Sequence, residues 1–107
     1  MANFEKYKYC SIANQDSEEL TYTPIDGEEI YLEEVGCSGG CVPSVKSEVF
    51  WGTELLFASH MTANRHTKKV LIGDNTTVLK ILLTNNSDTA ETIGGHILGT
   101  HTGFTGE

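Results

Sequence analysis

The clearest candidates for chemistry in this chain are two thiols in the segment Cys37-Ser-Gly-Gly-Cys41. Such a pair could share a metal ion or form a local disulfide, whose Cα atoms must come within about 7 Å. Zinc needs about four ligands, and the other candidate ligands are the histidines His60, His66, His96 and His101. None of these has the short pairwise spacing of a recognisable zinc module. The sequence therefore predicts neither a metal site nor a cofactor.

A third cysteine, Cys10, makes the count odd, so the three thiols cannot all pair within one chain. Reduced thiols in a cytosolic protein explain such a count. It also suits a subunit that is made in the cytosol and later works outside the cell in an oxidised assembly. We expect Cys37 and Cys41 to lie on an exposed glycine loop and Cys10 to lie on a strand. We predict that at least one of the three forms an interchain disulfide.

The sequence contains no arrangement of catalytic groups that identifies a reaction. No sequence context orients a Cys-His pair for catalysis. Asp74 lies in a Gly-Asp-Asn turn and is explained by capping that turn, with calcium binding as the alternative. We predict a non-enzymatic protein with no catalytic residues. Four further carboxylates are predicted to form the solvated face of a strand: Glu28, Glu29, Glu33 and Glu34.

Aromatic side chains leave one binding function open. Exposed rings on one surface could stack against sugars, although a tryptophan more often packs in the core and strand tyrosines commonly line wet faces. A carbohydrate-binding β-sandwich module is therefore the alternative function. Asn75-Thr-Thr and Asn85-Asn-Ser also fit the glycosylation pattern. The aromatic residues concerned are Trp51, Tyr7, Tyr9, Tyr22 and Tyr31.

Length and charge narrow the class of protein. The chain has 107 residues, of which 38% are hydrophobic, which is enough for one domain with one modest core. The formal charge of −8 repels phosphate backbones and anionic lipid surfaces, so nucleic acid and membrane partners are disfavoured. No stretch approaches the roughly 20 apolar residues that span a bilayer, and the first residues do not form a secretion signal.

The most apolar stretch, residues 68–85, predicts a strand, a turn and a second strand. In the second arm, Leu79 and Ile81 lie on the same side of a pattern with a period of two. In the first arm, Val70 and Ile72 are predicted to share the buried face. We expect this hairpin at the centre of a β-sheet domain. The predicted core consists of Ile30, Leu32, Val49, Trp51, Val70, Ile72, Leu79, Ile81 and Leu83.

Alternating patterns elsewhere predict further strands at residues 4–12, 20–23, 28–35, 45–51, 54–59 and 91–98. Polar or glycine-rich composition predicts loops at residues 14–19, 36–43 and 60–67. The repeated glycines of the last strand indicate close approach of another backbone or a bulge. About seven or eight short strands and no helical period predict an all-β fold, an antiparallel, jelly-roll-like β-sandwich formed by one domain over residues 1–107. A closed barrel is the alternative.

Several segments together resemble the small β-sandwich structural proteins of tailed bacteriophage virions, which serve as head decoration, neck, collar or spike subunits. This resemblance implies a non-enzymatic subunit that forms a homo-oligomer and contacts other virion proteins. It also implies synthesis in the host cytoplasm and a final location in the virion. The cysteine-bearing segment is not part of the resemblance. The segments are Asp26-Gly-Glu-Glu-Ile-Tyr-Leu32, Val49-Phe-Trp-Gly52 with Leu55-Leu56, Gly73-Asp74, Val78 to Asn85, and Gly94-Gly-His-Ile-Leu-Gly99.

Overall fold

The computed structural model of the chain describes residues 2–39, 44–60 and 63–102. Nine strands lie within these ranges and no helix does, so the alternating patterns correctly predict an all-β fold. The strands are β1 (Ala2–Ile12), β2 (Asp16–Tyr22), β3 (Glu29–Gly39), β4 (Val45–Trp51), β5 (Glu54–Ser59), β6 (Ala63–His66), β7 (Val70–Ile72), β8 (Leu79–Asn85) and β9 (Glu91–Thr102).

The strands form two antiparallel sheets that pack face to face. Sheet A has the order β1-β9-β3-β6, and β7 also pairs with β3 along the edge that β6 occupies. Sheet B has the order β2-β8-β4-β5. The fold is therefore the predicted antiparallel β-sandwich and not a single closed barrel. In the described part of the chain, no helix is long and apolar enough to cross a membrane.

The core lies between the sheets and follows the period of two in the central strands. On β8, every second residue is fully buried, which places Leu79, Ile81 and Leu83 opposite the inner face of sheet A. Burial of this kind contributes about 1.5–3 kcal/mol for each large aliphatic side chain. Ile30, Leu32 and Val49 are buried as predicted, whereas Trp51 is half-buried and packs against the core.

The predicted central hairpin over residues 68–85 is wrong in its pairing. Its first arm, β7, pairs with β3 in sheet A, and its second arm, β8, lies between β2 and β4 in sheet B. The connection between them crosses from one sheet to the other. The facing of β7 is also reversed: Leu71 is buried, whereas Val70 and Ile72 are 45% and 60% exposed. The run Val-Leu-Ile is apolar at every position, so it carries no alternation that could set its facing.

Three segments that were expected to be loops contain strands. The acidic residues of β2 belong to an edge strand, which keeps both polar and apolar positions in contact with water. β3 continues through Gly39 where a glycine loop was expected from residue 36, and β6 occupies part of the segment expected to be a loop over residues 60–67. Residues 40–43, which complete the expected cysteine-bearing loop, lie outside the described residues.

Buried Asn85 joins the two turns at one end of the sandwich. Its Nδ2 donates hydrogen bonds to the carbonyl oxygens of Ile12 at 2.9 Å and Thr89 at 2.9 Å, and its Oδ1 accepts from the backbone N of Ser87 at 2.9 Å. A fully buried amide with these partners has no room for a glycan. The hydrogen bonds of Asn85 within the fold therefore explain the asparagine of this glycosylation pattern. Asn75, in the other such pattern, is exposed.

Candidate functional site

A buried carboxylate, Glu28, lies immediately before β3. The Tyr22 hydroxyl lies 2.8 Å from both carboxylate oxygens of Glu28, and the backbone N of Ile25 donates to Oε1 at 3.3 Å. His101 Nδ1 on β9 lies 3.0 Å from Oε2. Glu28 has no exposed surface, so the prediction that it belongs to a solvated face is wrong. A buried carboxylate requires such partners, and here they link three separate parts of the chain.

We call Glu28, Tyr22 and His101 the Glu28 cluster. Aromatic rings surround its carboxylate. The Phe4 ring packs edge-on against His101 at 5.3 Å between centroids and lies 5.4 Å from Tyr22. Burial, followed by the hydrogen bond to Glu28, raises the pKa of Tyr22 to about 12. The cluster is closed to solvent on the carboxylate side. Its geometry therefore fixes β9 to the β2–β3 connection and offers no access to a substrate.

A second group of titratable residues lies on the outer surface of sheet A. Cross-strand pairing places Tyr7, His96, Gly36 and Asn64 in one row across β1, β9, β3 and β6. Residues directly opposite each other in an antiparallel sheet lie on the same face. The adjacent row contains Glu5, Leu98, Glu34 and His66, and Tyr9 lies on the other side of Tyr7 along β1. We call the outward surface formed by Glu5, Tyr7, Tyr9, Glu34 and His96 the tyrosine face.

A glycine positions the imidazole at the centre of the tyrosine face. A Cβ atom on Gly36 would overlap the His96 ring, so only glycine lets the ring lie across β3. In that position His96 Nε2 is 2.8 Å from Glu34 Oε2. His66 Nε2 lies 4.0 Å from the other carboxylate oxygen of Glu34, and the His66 side chain is largely exposed. Glu34 is half-buried by these neighbours, so it is only partly a solvated carboxylate.

Tyr9 is held against the sheet in a similar way. Its Cδ2 atom lies 2.6 Å from the point where a Cβ of Gly94 would stand, so the ring lies over that glycine. Tyr9 is nevertheless 61% exposed, and Tyr7 is 70% exposed. The tyrosine face therefore presents two aromatic rings to solvent on β1 and a fixed carboxylate two strands away on β3. The expected close approach at the glycines of β9 is confirmed, and side chains as well as backbone make it.

The five aromatic residues considered for sugar binding do not form one platform. Tyr7 and Tyr9 share the tyrosine face, and Tyr31 lies on the same side of sheet A but in a row nearer β7. Tyr22 belongs to the Glu28 cluster, and Trp51 faces the interior at the end of β4. Only the pair Tyr7 and Tyr9 remains as an exposed aromatic surface among these five.

Exposed aliphatic residues gather near β7. Val70 and Ile72 point outward from this three-residue edge strand, and Ile25, 42% exposed, lies in the adjacent connection. The backbone of Ile25 contacts Gly73, which follows β7 directly. We call Ile25, Val70 and Ile72 the apolar patch. Next to it, an open groove of about 520 Å³ runs beside the β-bulge of β3 and is lined by Tyr31, Leu32, Glu33, His66, Thr67 and Lys68.

Cys37 does not lie on the exposed loop that was expected to carry it, whereas Cys10 lies on a strand as expected. Cys37 is 3% exposed and lies on the inner face of β3, opposite Ala63 and Gly95, so that expectation is wrong for this residue. Cys10 is half-buried on the inner side of β1, and Cys41 lies outside the described residues. Among the residues that the structure describes, no group of three or more Cys, His, Asp or Glu side chains is arranged to hold a metal ion.

The four histidines do not gather at one place: two approach the same carboxylate and the other two lie elsewhere. His60 Nδ1 lies 2.9 Å from the Val45 carbonyl oxygen, His96 and His66 approach Glu34, and His101 approaches Glu28. Asp74 caps its turn as predicted, because it accepts hydrogen bonds from the backbone N of Thr76 at 2.9 Å and of Thr77 at 2.6 Å. These bonds lower the pKa of the Asp74 carboxyl.

Sequence reasoning missed both the Glu28 cluster and the pairing of Glu34 with His96. The available signal for the second was Gly36, since a glycine within a strand often marks the close approach of another group. For Glu28 there was no comparable signal. It stands in an acidic run, and only the turn before β3 directs its side chain inward.

No protein-family model matches the chain, and no curated protein matches it. Among solved structures, it is similar to the Drosophila NLP core, described for pentamer formation and histone binding, with 8% identity, a TM-score of 0.47, and coverage of 91% of this chain and 98% of that one. It is also similar to a de novo designed double-stranded β-helix, with 18% identity, a TM-score of 0.33, and coverage of 89% and 99%. A third similarity is to infectious bursal disease virus Gx strain, with 10% identity, a TM-score of 0.30, and coverage of 95% and 33%. None of these similarities assigns a function or an assembly to this chain.

Proposed function

We propose that this chain is a non-enzymatic structural subunit that associates with copies of itself in a virion or a comparable large particle. The observation that carries the proposal is the apolar patch. Val70 and Ile72 are 45% and 60% exposed on edge strand β7, and Ile25, 42% exposed, lies in the connection whose backbone contacts Gly73 directly after β7. Clustered apolar residues at a surface are typical of protein contacts. A neighbouring subunit would remove them from water.

The edge position of β7 supports the same role. β7 pairs with β3 on one side, and within the described residues no strand pairs with its other side. Unpaired backbone groups on an edge strand can extend a sheet into another chain. The combination of aliphatic side chains and a free strand edge at one place suits contact between two copies, because the same surface can serve both partners.

The Glu28 cluster supports a structural role over a catalytic one. Its carboxylate is the most deeply buried titratable group in the described residues, yet its hydrogen bonds are directed at Tyr22, His101 and a backbone N. This use of a carboxylate joins parts of the fold. The chain's formal charge of −8 also favours protein partners over nucleic acid or anionic membranes.

Sedimentation velocity over a range of protein concentrations tests the proposal. The wild-type chain is expected to form a defined oligomer, and Ile72→Asp is expected to shift it to the monomer, because a carboxylate would be desolvated in the contact. Leu55→Asp is the matched control, since Leu55 is 50% exposed on sheet B, and it should leave the oligomer intact. A wild-type chain that stays monomeric at every concentration would contradict the proposal.

A further inference from the structure

We propose that the tyrosine face binds a basic protein segment, whose Lys or Arg side chains lie over Tyr7 and Tyr9 and next to Glu5 and Glu34. This surface lies on the same side of sheet A as the apolar patch. Glu5 and Glu34 lie one row and Tyr7 two rows beyond the row of Val70, and the two surfaces share no residue. The inference goes beyond the proposed function, because it assigns a partner chemistry to a surface that self-association does not use.

The charges on the outer side of sheet A favour a cationic partner. In the described strands, every formally charged residue at an outward position of this sheet is acidic. Lys68, in the connection after β6, lines the groove beside Tyr31 and His66. The inner face of β1 carries Lys6 and Lys8, and Arg65 turns toward Phe57. The outward acidic residues are Glu5, Glu29 and Glu34. Complementary charge of this kind selects partners and speeds their encounter.

The aromatic rings add a second, independent preference for cations. The ammonium group of Lys6 lies 4.5 Å from the Tyr22 ring centroid, and that of Lys80 lies 5.3 Å from the Phe50 ring. Among the described residues, no Lys or Arg lies over Tyr7 or Tyr9 in this way, although these are the most exposed rings. A cation above the flat side of a tyrosine ring is attracted by the quadrupole of that ring. The tyrosine face therefore offers two rings that the chain's own cations do not occupy.

The Glu34 carboxylate, which lies on the same face but two strands away from these rings, is already fixed in place. His96 holds one oxygen of Glu34 at 2.8 Å, and Gly36 allows the ring to adopt that position. The second oxygen faces His66, whose side chain is 86% exposed and lies 4.0 Å away. An incoming ammonium or guanidinium group could approach this oxygen without reorganising the sheet. A preorganised acceptor loses less conformational freedom on binding than a mobile one.

A neutral saccharide is the competing ligand, because sugars also stack on exposed tyrosines. The uniformly acidic outward charge favours the basic segment, since a neutral sugar gains nothing from it. The exposed acidic residues of β2 form another negatively charged edge, made of Asp16, Glu18 and Glu19. That edge shows no exposed aromatic ring beside its carboxylates. Binding through charge alone would therefore use β2 at least as well as the tyrosine face.

Titration of the isotopically labelled full chain with a synthetic hexalysine peptide, followed by amide NMR shifts, tests the proposal. Shifts are expected on β1 and β9 around Tyr7, Tyr9 and His96, with affinity that falls as salt is added. The double variant Tyr7→Ser/Tyr9→Ser should weaken binding by about two- to fivefold for each ring removed. Because both rings are exposed, an unchanged spectrum away from β1 will show that this variant folds.

Matched changes on other surfaces separate the possible outcomes. Glu19→Gln on β2 and Leu55→Ser on sheet B should leave hexalysine affinity unchanged. Amide shifts that centre on β2 would overturn the proposal. So would a Tyr7→Ser/Tyr9→Ser variant that binds hexalysine as tightly as the wild type. It would equally be overturned if maltohexaose, and not hexalysine, shifted the tyrosine face. The monomeric variant Ile72→Asp should still bind hexalysine at the tyrosine face, so failure of self-association and failure of this inference are distinguishable.

Discussion

His101 Nδ1 lies 3.0 Å from Glu28 Oε2, across 73 positions of sequence and inside the sandwich. This contact connects the end of β9 in sheet A with the turn that precedes β3. Tyr22, the last residue of β2 in sheet B, donates to the same carboxylate. One buried side chain therefore connects both sheets, and its removal should affect the whole domain and not only a local turn.

Replacing Glu28 by alanine should lower the free energy of unfolding by about 3–5 kcal/mol, because its donors remain buried without an acceptor. Glu33→Ala is the control, since Glu33 is an exposed carboxylate five positions along the same segment, and it should change stability by less than about 0.5 kcal/mol. Urea unfolding of both variants measures the difference. Equal, small losses at the two positions would contradict the role assigned to Glu28.

Tyr22 predicts a specific dependence of stability on pH. Because its pKa is raised from 10.0 to about 12 in the folded chain, the protonated hydroxyl stabilises the fold fully below about pH 10. That contribution is lost as the pH rises toward 12. Tyr22→Phe should be less stable than wild type at neutral pH by about 1–3 kcal/mol, owing to the lost hydrogen bond to a carboxylate. The difference in stability between wild type and Tyr22→Phe should narrow between pH 10 and 12. If urea unfolding gave the same difference at every pH, this explanation would be disproved.

Adjacent positions on β8 test the facing of the central strand. Ile81 is 1% exposed in the core, whereas the Lys80 side chain lies on the outer face above Phe50. Ile81→Ala should cost about 2–5 kcal/mol because it leaves a cavity. Lys80→Ala should cost less than about 1 kcal/mol, which is the scale of an exposed cation–π contact. Thermal or urea unfolding compares them, and similar losses would show that the assigned facing is incorrect.

The cysteine prediction can now be directed at particular thiols. Cys37 is buried between the sheets, which makes it the poorest candidate for reaching a neighbour, while Cys10 is half-buried on edge strand β1. We expect an interchain disulfide through Cys10 or Cys41 in intact assemblies, stabilising them by about 2–4 kcal/mol per bridge. Non-reducing electrophoresis after alkylation should show a linked band that Cys37→Ser retains. A monomeric band with all three thiols alkylated would rule out covalent linkage.

The sequence predicts the fold class and the inner face of β8 because the polar residues of this strand, other than Asn85 at its end, lie on one side only. Lys80 and Thr84 alternate with Ile81 and Leu83, and only one side of such a strand can be buried. On β1 the same rule puts Tyr7 and Tyr9 on one side, which is the exposed one, but Lys6 on the other side leaves neither side purely apolar, so alternation alone does not choose the buried side. It fails at β7, whose three residues are all apolar.

Pairing between strands cannot be read from alternation. Two apolar arms separated by a turn are compatible with a hairpin or with a crossing between sheets, and the contacts of β7 with β3 decide between them. The candidate site depends on this pairing, because His96 and Glu34 are 62 positions apart in the sequence. Glu28 was misassigned for another reason: its burial depends on donors from Tyr22 and His101, which alternation within one segment does not reveal.

The pairing of β1 with β9 has a consequence for how the protein is made. Ala2 pairs with His101 and Ile12 with Glu91, so β1 finds its partner only in the last described strand. During translation, β1 leaves the ribosome long before β9 exists, and sheet A cannot close until β9 has been made. Folding dominated by such distant contacts is slow. A ribosome stalled before β9 should therefore hold a nascent chain that proteases still cleave within β1.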